Sequence, residues 1–297
     1  MMFCRKLCTA LFLLLPLVVA CESQNRQSIA LASEPVVLGL IPAEQIHKME
    51  QRFEPMRAYL EQKLGRRVEF FTATSYGGII EGMKQDKVDL AFFGPLSYVL
   101  AEEEAGAEAF AVGVRYNGKS TYHSIFVAPR DSSIKSLEDL QGKSVAFVDP
   151  ASTSGALMPT YAIKKATGMM PKEFFGELTY AGSHDRAEIA VKYGTVDAAA
   201  DSDISYDKML EKGFITKQTN LILWRSDPLP GSPLTYREDL DPRLKAQLRE
   251  IILNAHQEIE VTGFGELIRY EATEPANYQV IRDMIKELGI EREEMLK

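Results

Sequence analysis

Cysteine is scarce in this 297-residue chain. Of three, Cys4 and Cys8 fall in an N-terminal leader, which leaves Cys21 alone. One thiol excludes an internal disulfide framework and a thiolate metal centre. The four histidines, His47, His123, His184 and His256, show no His-x-x-x-His spacing. There is no Gly-x-Ser-x-Gly elbow, and a nucleotide phosphate loop is not expected. Neither metal nor cofactor is expected, and the chain reads as a non-enzyme. Basic residues are also in short supply, with 34 Lys and Arg against 42 Asp and Glu. Without Arg5 and Lys6 of the leader the balance is 32 to 42, a net charge of −10. That surface is wrong for nucleic acid, and an anion must be held by local donors because the overall field repels it. Long apolar runs are missing too. The stretch 11–20 falls short of the ~20 apolar residues that span a bilayer, and Pro16 interrupts it.

What is present at the N-terminus fits export. Arg5 and Lys6 precede the apolar stretch, and Val19 and Ala20 close it, a secretory leader pattern. A short membrane anchor is the competing explanation. Val18-Val19-Ala20-Cys21 resembles a bacterial lipobox, in which the cysteine becomes the lipidated first residue. Residues 1–20 are then a signal peptide, and 21–34 a lipidated N-terminus and polar tether. The mature protein is expected to be a monomer anchored by lipid to the bacterial cell membrane, facing the periplasm or the cell exterior.

From residue 36 the pattern alternates strand and helix. Apolar runs at 36–40, 68–71 and 88–93 read as strands, separated by helices that begin near Phe53 and Gly78. A second series follows: strand 144–148, helix 155–167 with Gly168 as its stop, strand 177–180, helix 185–193 and strand 196–200. Alternation of this kind implies parallel βαβ units. The series share a junction, Val88-Asp89-Leu-Ala91 against Val196-Asp197-Ala-Ala199, which marks either two similar lobes or one common helix-to-strand turn used twice. A helix from Pro242 with an apolar face through Leu244, Leu248, Ile251, Ala255 and Ile259, and a last one around Tyr278 to Leu288, should pack on the first lobe. The expectation is an α/β protein of two lobes, 35–125 with 230–297 and 126–229. The chain crosses between them near 122–128 and 223–232 to make a two-strand hinge.

The strongest chemical signal is Asp149-Pro150-Ala151-Ser152-Thr153-Ser154-Gly155, three hydroxyls where a strand becomes a helix. Free N–H groups and the dipole make such a terminus an anion site. An ordinary cap explains one hydroxyl, not three. Ser183-His184-Asp185 sits at a second such turn, and both lie at carboxyl ends of strands, where ligands bind in open α/β sheets. Asp201-Ser202-Asp203 follows the next strand; acceptors there suit a ligand bearing a proton or an ammonium group, or are simply a polar loop. Tyr76 and Tyr122 offer phenolic donors, though packing explains either. Ser154, His184 and Asp203 could also be drawn as a triad.

Several stretches together carry a resemblance. Thr74-Ser75-Tyr76, Gly94-Pro95-Leu96-Ser97-Tyr98, Tyr122-His123-Ser124, the Asp149 to Gly155 turn and Ala181-Gly182-Ser183-His184-Asp185 resemble the phosphonate and phosphite substrate-binding proteins of ABC transporters. The resemblance implies a type II periplasmic-binding-protein-like fold closing on a small phosphorus oxyanion, a phosphonate, phosphite or phosphate. It implies ligand contacts from Ser152, Thr153, Ser154, His184, Tyr76 and Tyr122, and an acidic residue toward an aminoalkyl tail near Asp201 or Asp203, with Asp203 the candidate. A membrane permease is the implied partner. Two rivals stand beside it: a sensory partner presenting the ligand to a membrane histidine kinase, and a periplasmic phosphate-ester hydrolase using Ser154.

Overall fold

The computed structural model describes residues 34–296, so the leader and Cys21 lie outside the described residues. β1 (Val36–Leu40) leads through the helix Ile46–Leu64 to β2 (Val68–Thr72), the helix Tyr76–Lys84, β3 (Leu90–Phe92), the helix Pro95–Ala105 and β4 (Ala107–Arg115). After β5 (Thr121–Tyr122) come β6 (Ser124–Ala128), β7 (Ser144–Phe147), a helical segment 153–167, β8 (Glu177–Tyr180), the helix His184–Lys192, β9 (Ala198–Ser202), the helix Asp203–Glu211 and β10 (Leu221–Arg225). β11 (Leu229–Pro230) returns to β12 (Pro233–Arg237), the helix Pro242–Asn254, β13 (Thr262–Gly263), β14 (Gly265–Ala272) and the helix Gln279–Leu288.

Twelve of the fourteen strands form two sheets, one per lobe. The first has the order β13-β14-β4-β12-β3-β1-β2 and the second β10-β6-β9-β7-β8. Each has a parallel heart: β1 lies between β2 and β3, and β7 between β8 and β9. An antiparallel strand then follows in each, β12 beside β3 and β6 beside β9. The repeated junction performs one task twice. The carboxylate of Asp89 accepts the N–H of Val37 at 2.9 Å, and that of Asp197 accepts the N–H of Ser144 at 2.9 Å. Each ties the start of the central strand to the turn before its neighbour. β5 and β11, both between the sheets in sequence, pair antiparallel with each other.

Both faces of the second sheet are covered. Phe126, Ala128, Val145 and Phe147 belong to one apolar cluster, and Ile125, Val127, Ala146 and Val148 to another. That two-residue alternation is the pleat itself, with apolar side chains on both sides as parallel sheets require. The first core includes Leu248, Ile252, Ile281 and Met284, so the two C-terminal helices pack on the first lobe.

Three local expectations need correction. The helix from Pro242 ends at Asn254, followed by a 3-10 turn Ala255–Gln257, so Ile259 lies beyond it. The strand expected at 88–93 spans only Leu90–Phe92. Gly113-Val-Arg-Tyr-Asn-Gly118-Lys119-Ser120 has the residue spacing of a nucleotide phosphate loop. It is the end of β4 and a tight turn, in which the N–H of Gly118 donates to Arg115 and that of Arg115 to Lys119. No helix follows, so the strand-to-helix context that cradles phosphate is missing.

Candidate ligand-binding site

The carboxyl ends of the parallel strands of the two lobes face each other. Ile41 and Ala43 follow β1, Tyr76 starts the helix after β2, and Gly94 follows β3. Opposite them, Ser152, Thr153 and Ser154 follow β7, and His184 follows β8. These residues line one small cavity with Phe92, Tyr122, Ser232 and Phe264. Six of the seven candidate ligand residues therefore meet at one place, all buried. No lysine, arginine, aspartate or glutamate lines it. Its polar lining is three hydroxyls from one turn, a fourth from Ser232, two phenols, an imidazole and backbone.

The hydroxyl turn divides its labour. Ser152 is the cap, its Oγ accepting the N–H of Gly155 at 3.1 Å. The first turn, Thr153–Leu157, is wound as a π-helix, with the N–H of Leu157 donating to the Ser152 carbonyl. Such wider turns recur at functional sites. Gly155 is required there, since a Cβ would stand 2.3 Å from Val148 Cγ2. Thr153 Oγ1 accepts the N–H of Leu96 at 2.8 Å from the other lobe. It thereby caps the helix Pro95–Ala105, one of whose first N–H groups needs an outside partner. Burial raises the Tyr76 and Tyr122 phenols well above their usual range, so both remain neutral O–H groups. Burial lowers the His184 imidazole to about 4, so it is neutral at pH 7.

The lobes are also bonded directly to each other, at the cavity and beyond it. The His184 N–H donates to the Ala43 carbonyl at 3.0 Å, and the Tyr76 N–H to Asp149 Oδ2 at 3.2 Å. Lys48 pairs with Asp185 at 3.0 Å. Glu44, buried, is paired with Arg52 at 3.1 Å and with Lys208 of the second lobe. These bonds describe lobes closed on each other.

Residues 38–280 match the family of periplasmic substrate-binding proteins of phosphonate ABC transporters. The chain belongs to that family. Among its relatives is a phosphate-import protein of Mycolicibacterium smegmatis, 32% identical over 276 residues, 88% of this chain and 84% of that protein. The phosphonates-binding periplasmic protein of Escherichia coli is 30% identical over 220 residues, covering 73% of this chain and 64%, under two thirds, of that protein. In structure the chain is similar to a binding-protein component of a Pseudomonas aeruginosa ABC phosphonate transporter. The TM-score is 0.79 at 26% identity, over 86% of this chain and 87% of the other. The two-lobed type II fold expected from the sequence is the fold of this family. As a substrate-binding component of an ABC transporter, the protein is a periplasmic one, and no helix among the described residues is long and apolar enough to cross a membrane.

In this binding protein Asp203 stands apart from the cavity. Its Oδ1 accepts the His123 N–H at 3.0 Å and its Oδ2 accepts Arg225 Nη1 at 2.8 Å. Both oxygens are engaged in fastening β10 and the residue just before β6 to the helix that Asp203 begins. Asp201 instead lies behind the cavity, its Oδ1 against His184 Nδ1. Sequence reasoning missed Ser232 and Phe264, which carry no motif and arrive from the far end of the chain. It also missed Glu44 and Glu188. Gly94 did carry a signal, a glycine at a strand-to-helix turn.

Proposed function

We propose that the protein captures a small phosphorus oxyanion, a phosphonate, phosphite or phosphate, between its lobes and delivers it to the permease of an ABC transporter. The supporting observation is the convergence of Ser152, Thr153, Ser154, Tyr76, Tyr122 and His184 from both lobes on one cavity without a charged side chain in its lining. Neutral O–H and N–H donors suit an anion in a protein whose overall charge repels it. Hydrogen bonds to a charged partner are worth about 1.5–3 kcal/mol each. With both Asp203 oxygens engaged elsewhere, the cavity offers no carboxylate to an ammonium tail. The lining favours phosphate, phosphite or a short alkylphosphonate over an aminoalkylphosphonate. The relatives' names span this range, phosphate for one and phosphonates for another.

We divide the mature chain into lobes 35–125 with 230–297 and 126–229, and assign Cys21 as the lipid anchor from the lipobox-like Val18-Val19-Ala20 before it. A melting-temperature panel of phosphate, phosphite, methylphosphonate, aminoethylphosphonate and sulfate tests the ligand class. A phosphorus oxyanion should raise the melting temperature most. Equal or greater stabilisation by sulfate would overturn the assignment. Mass spectrometry of the native N-terminus should find a lipidated Cys21, and a mature chain beginning elsewhere would remove the anchor.

A further inference from the structure

Behind the cavity wall lies a chain of titratable groups that an anion-binding role alone does not require. His184 Nδ1 meets Asp201 Oδ1. Asp201 and Glu188 are both fully buried, at 0% exposure. Their carboxyl groups are within hydrogen-bonding reach of each other. Asp201 Oδ2 and Glu188 Oε1 have no donor, whereas Glu188 Oε2 accepts Asn220 Nδ2 at 2.6 Å. Two buried carboxyls in contact do not both ionise. A proton between them satisfies both orphaned oxygens, and Asn220 holds Glu188 in place.

The other charges around His184 come from every neighbouring element. Glu44 follows β1 with its partners Arg52 and Lys208. Asp149 follows β7. Asp185, paired with Lys48, and Glu188 share the helix of His184, and Asp201 is on β9. Carboxylates dominate, so an arriving anion strongly favours a state that holds one more proton.

We propose that His184, Asp201 and Glu188 form a proton store, so that the anion is captured together with one proton and Asp201 controls the pH at which capture fails. The proposal rests on the oxyanion reading of the cavity. With Asp201 protonated, its Oδ1–H donates to Nδ1. The ring proton then sits on Nε2, available as a donor to the ligand. When Asp201 loses its proton to solvent, the imidazole changes tautomer. Nδ1–H donates to the carboxylate, Nε2 offers a lone pair to the anion, and a buried negative charge stands behind it. Burial raises the Asp201 carboxyl to about 8, which places that change just above neutrality. Asp201 and Glu188 act through His184 as positioning residues.

The experiment is titration calorimetry of the mature protein with methylphosphonate from pH 6 to 9.5, on wild type and Asp201→Asn. The asparagine amide donates to Nδ1 as the protonated acid does, and it does not ionise. The ratio of variant to wild-type affinity cancels the ligand's own ionisation. It should be level below pH 7 and rise about tenfold per pH unit above about 8, the slope of a single linked proton. A ratio that stays level throughout overturns the proposal. Wild type alone supplies a second measurement: in two buffers of different ionisation heat above pH 8, binding should take up close to one proton, and an uptake near zero counts equally against it. Failure of methylphosphonate, phosphite and phosphate all to bind wild type at pH 6 would remove the oxyanion reading itself, and the proton store with it.

Discussion

Thr153→Ala separates a capping role from a closing role. The Thr153 hydroxyl accepts the Leu96 N–H across the cleft at 2.8 Å, with both residues buried. When the lobes part, that N–H meets water and needs no partner. In the closed form of the alanine variant it is buried and unpaired, which costs about 1–3 kcal/mol. The penalty falls on the closed form alone, so apparent affinity drops by roughly fivefold to over a hundredfold. Loss of a direct ligand contact adds to that. The local cap of the 153–167 segment is Ser152, which the variant retains, so the helix itself should stay formed. Titration calorimetry with the best ligand of the panel measures the affinity, and Thr153→Ser, which restores the oxygen, should return it to near wild type. Wild-type affinity in Thr153→Ala would refute the reasoning. So would a serine variant as weak as the alanine one.

Other expectations follow from the same contacts. Lys208→Ala leaves buried Glu44 with Arg52 alone, short of the fully uncompensated case. A loss of about 1–2 kcal/mol, or roughly fivefold to thirtyfold in affinity, is expected by calorimetry, and an unchanged value would show that the cross-lobe pair does not support closure. Gly155→Ala drives a methyl into Val148. Overpacking of ~1–3 kcal/mol should lower the melting temperature by roughly 2–4 °C per kcal/mol, and an unshifted melting curve would contradict the close approach. Asp201 and Glu188 have carboxyls raised by burial above their unfolded values. The Asp201 contribution is fully present below its unfolded value of 3.8 and is lost progressively as pH rises to about 8; Glu188, raised further, acts in the same direction. The apo melting temperature should decline as pH rises from about 6.5 to about 8, above the range of His184, and less so in Asp201→Asn. His184 has the opposite sign: lowered to about 4 from 6.5, it removes stability as pH falls across that interval.

Much of this architecture is written in local patterns. The hydroxyl run was visible because a strand-to-helix turn concentrates its polar side chains in sequence, and the paired Val-Asp junctions were visible because each lobe ties its central strand with the same carboxylate. Asp203 shows where locality ends. An acidic residue after a strand can face a ligand or an arginine, and Arg225 lies twenty-two residues away on β10, beyond β6 in the sheet. Nothing in the loop's own sequence distinguishes the two. Glu188 looks like any polar residue on a helix, and only the packing of β9 and Asn220 against it makes it a fully buried acid. The strands β4, β12 and β14 were likewise not anticipated, since β12 sits between β3 and β4 in the middle of a sheet whose other members are far away in sequence.

That position of β12 bears on how the chain reaches its folded state. The second sheet is built from one continuous stretch, β6 to β10, whereas the first stays divided between β3 and β4 until Pro233–Arg237 enters and bonds to both. During synthesis the inner half can therefore complete itself while the outer half waits for residues more than a hundred positions downstream. Such distant pairings are slow to form and leave strand edges exposed meanwhile. A chain cut short after residue 225 should keep the means to assemble its second sheet and lose the means to assemble its first.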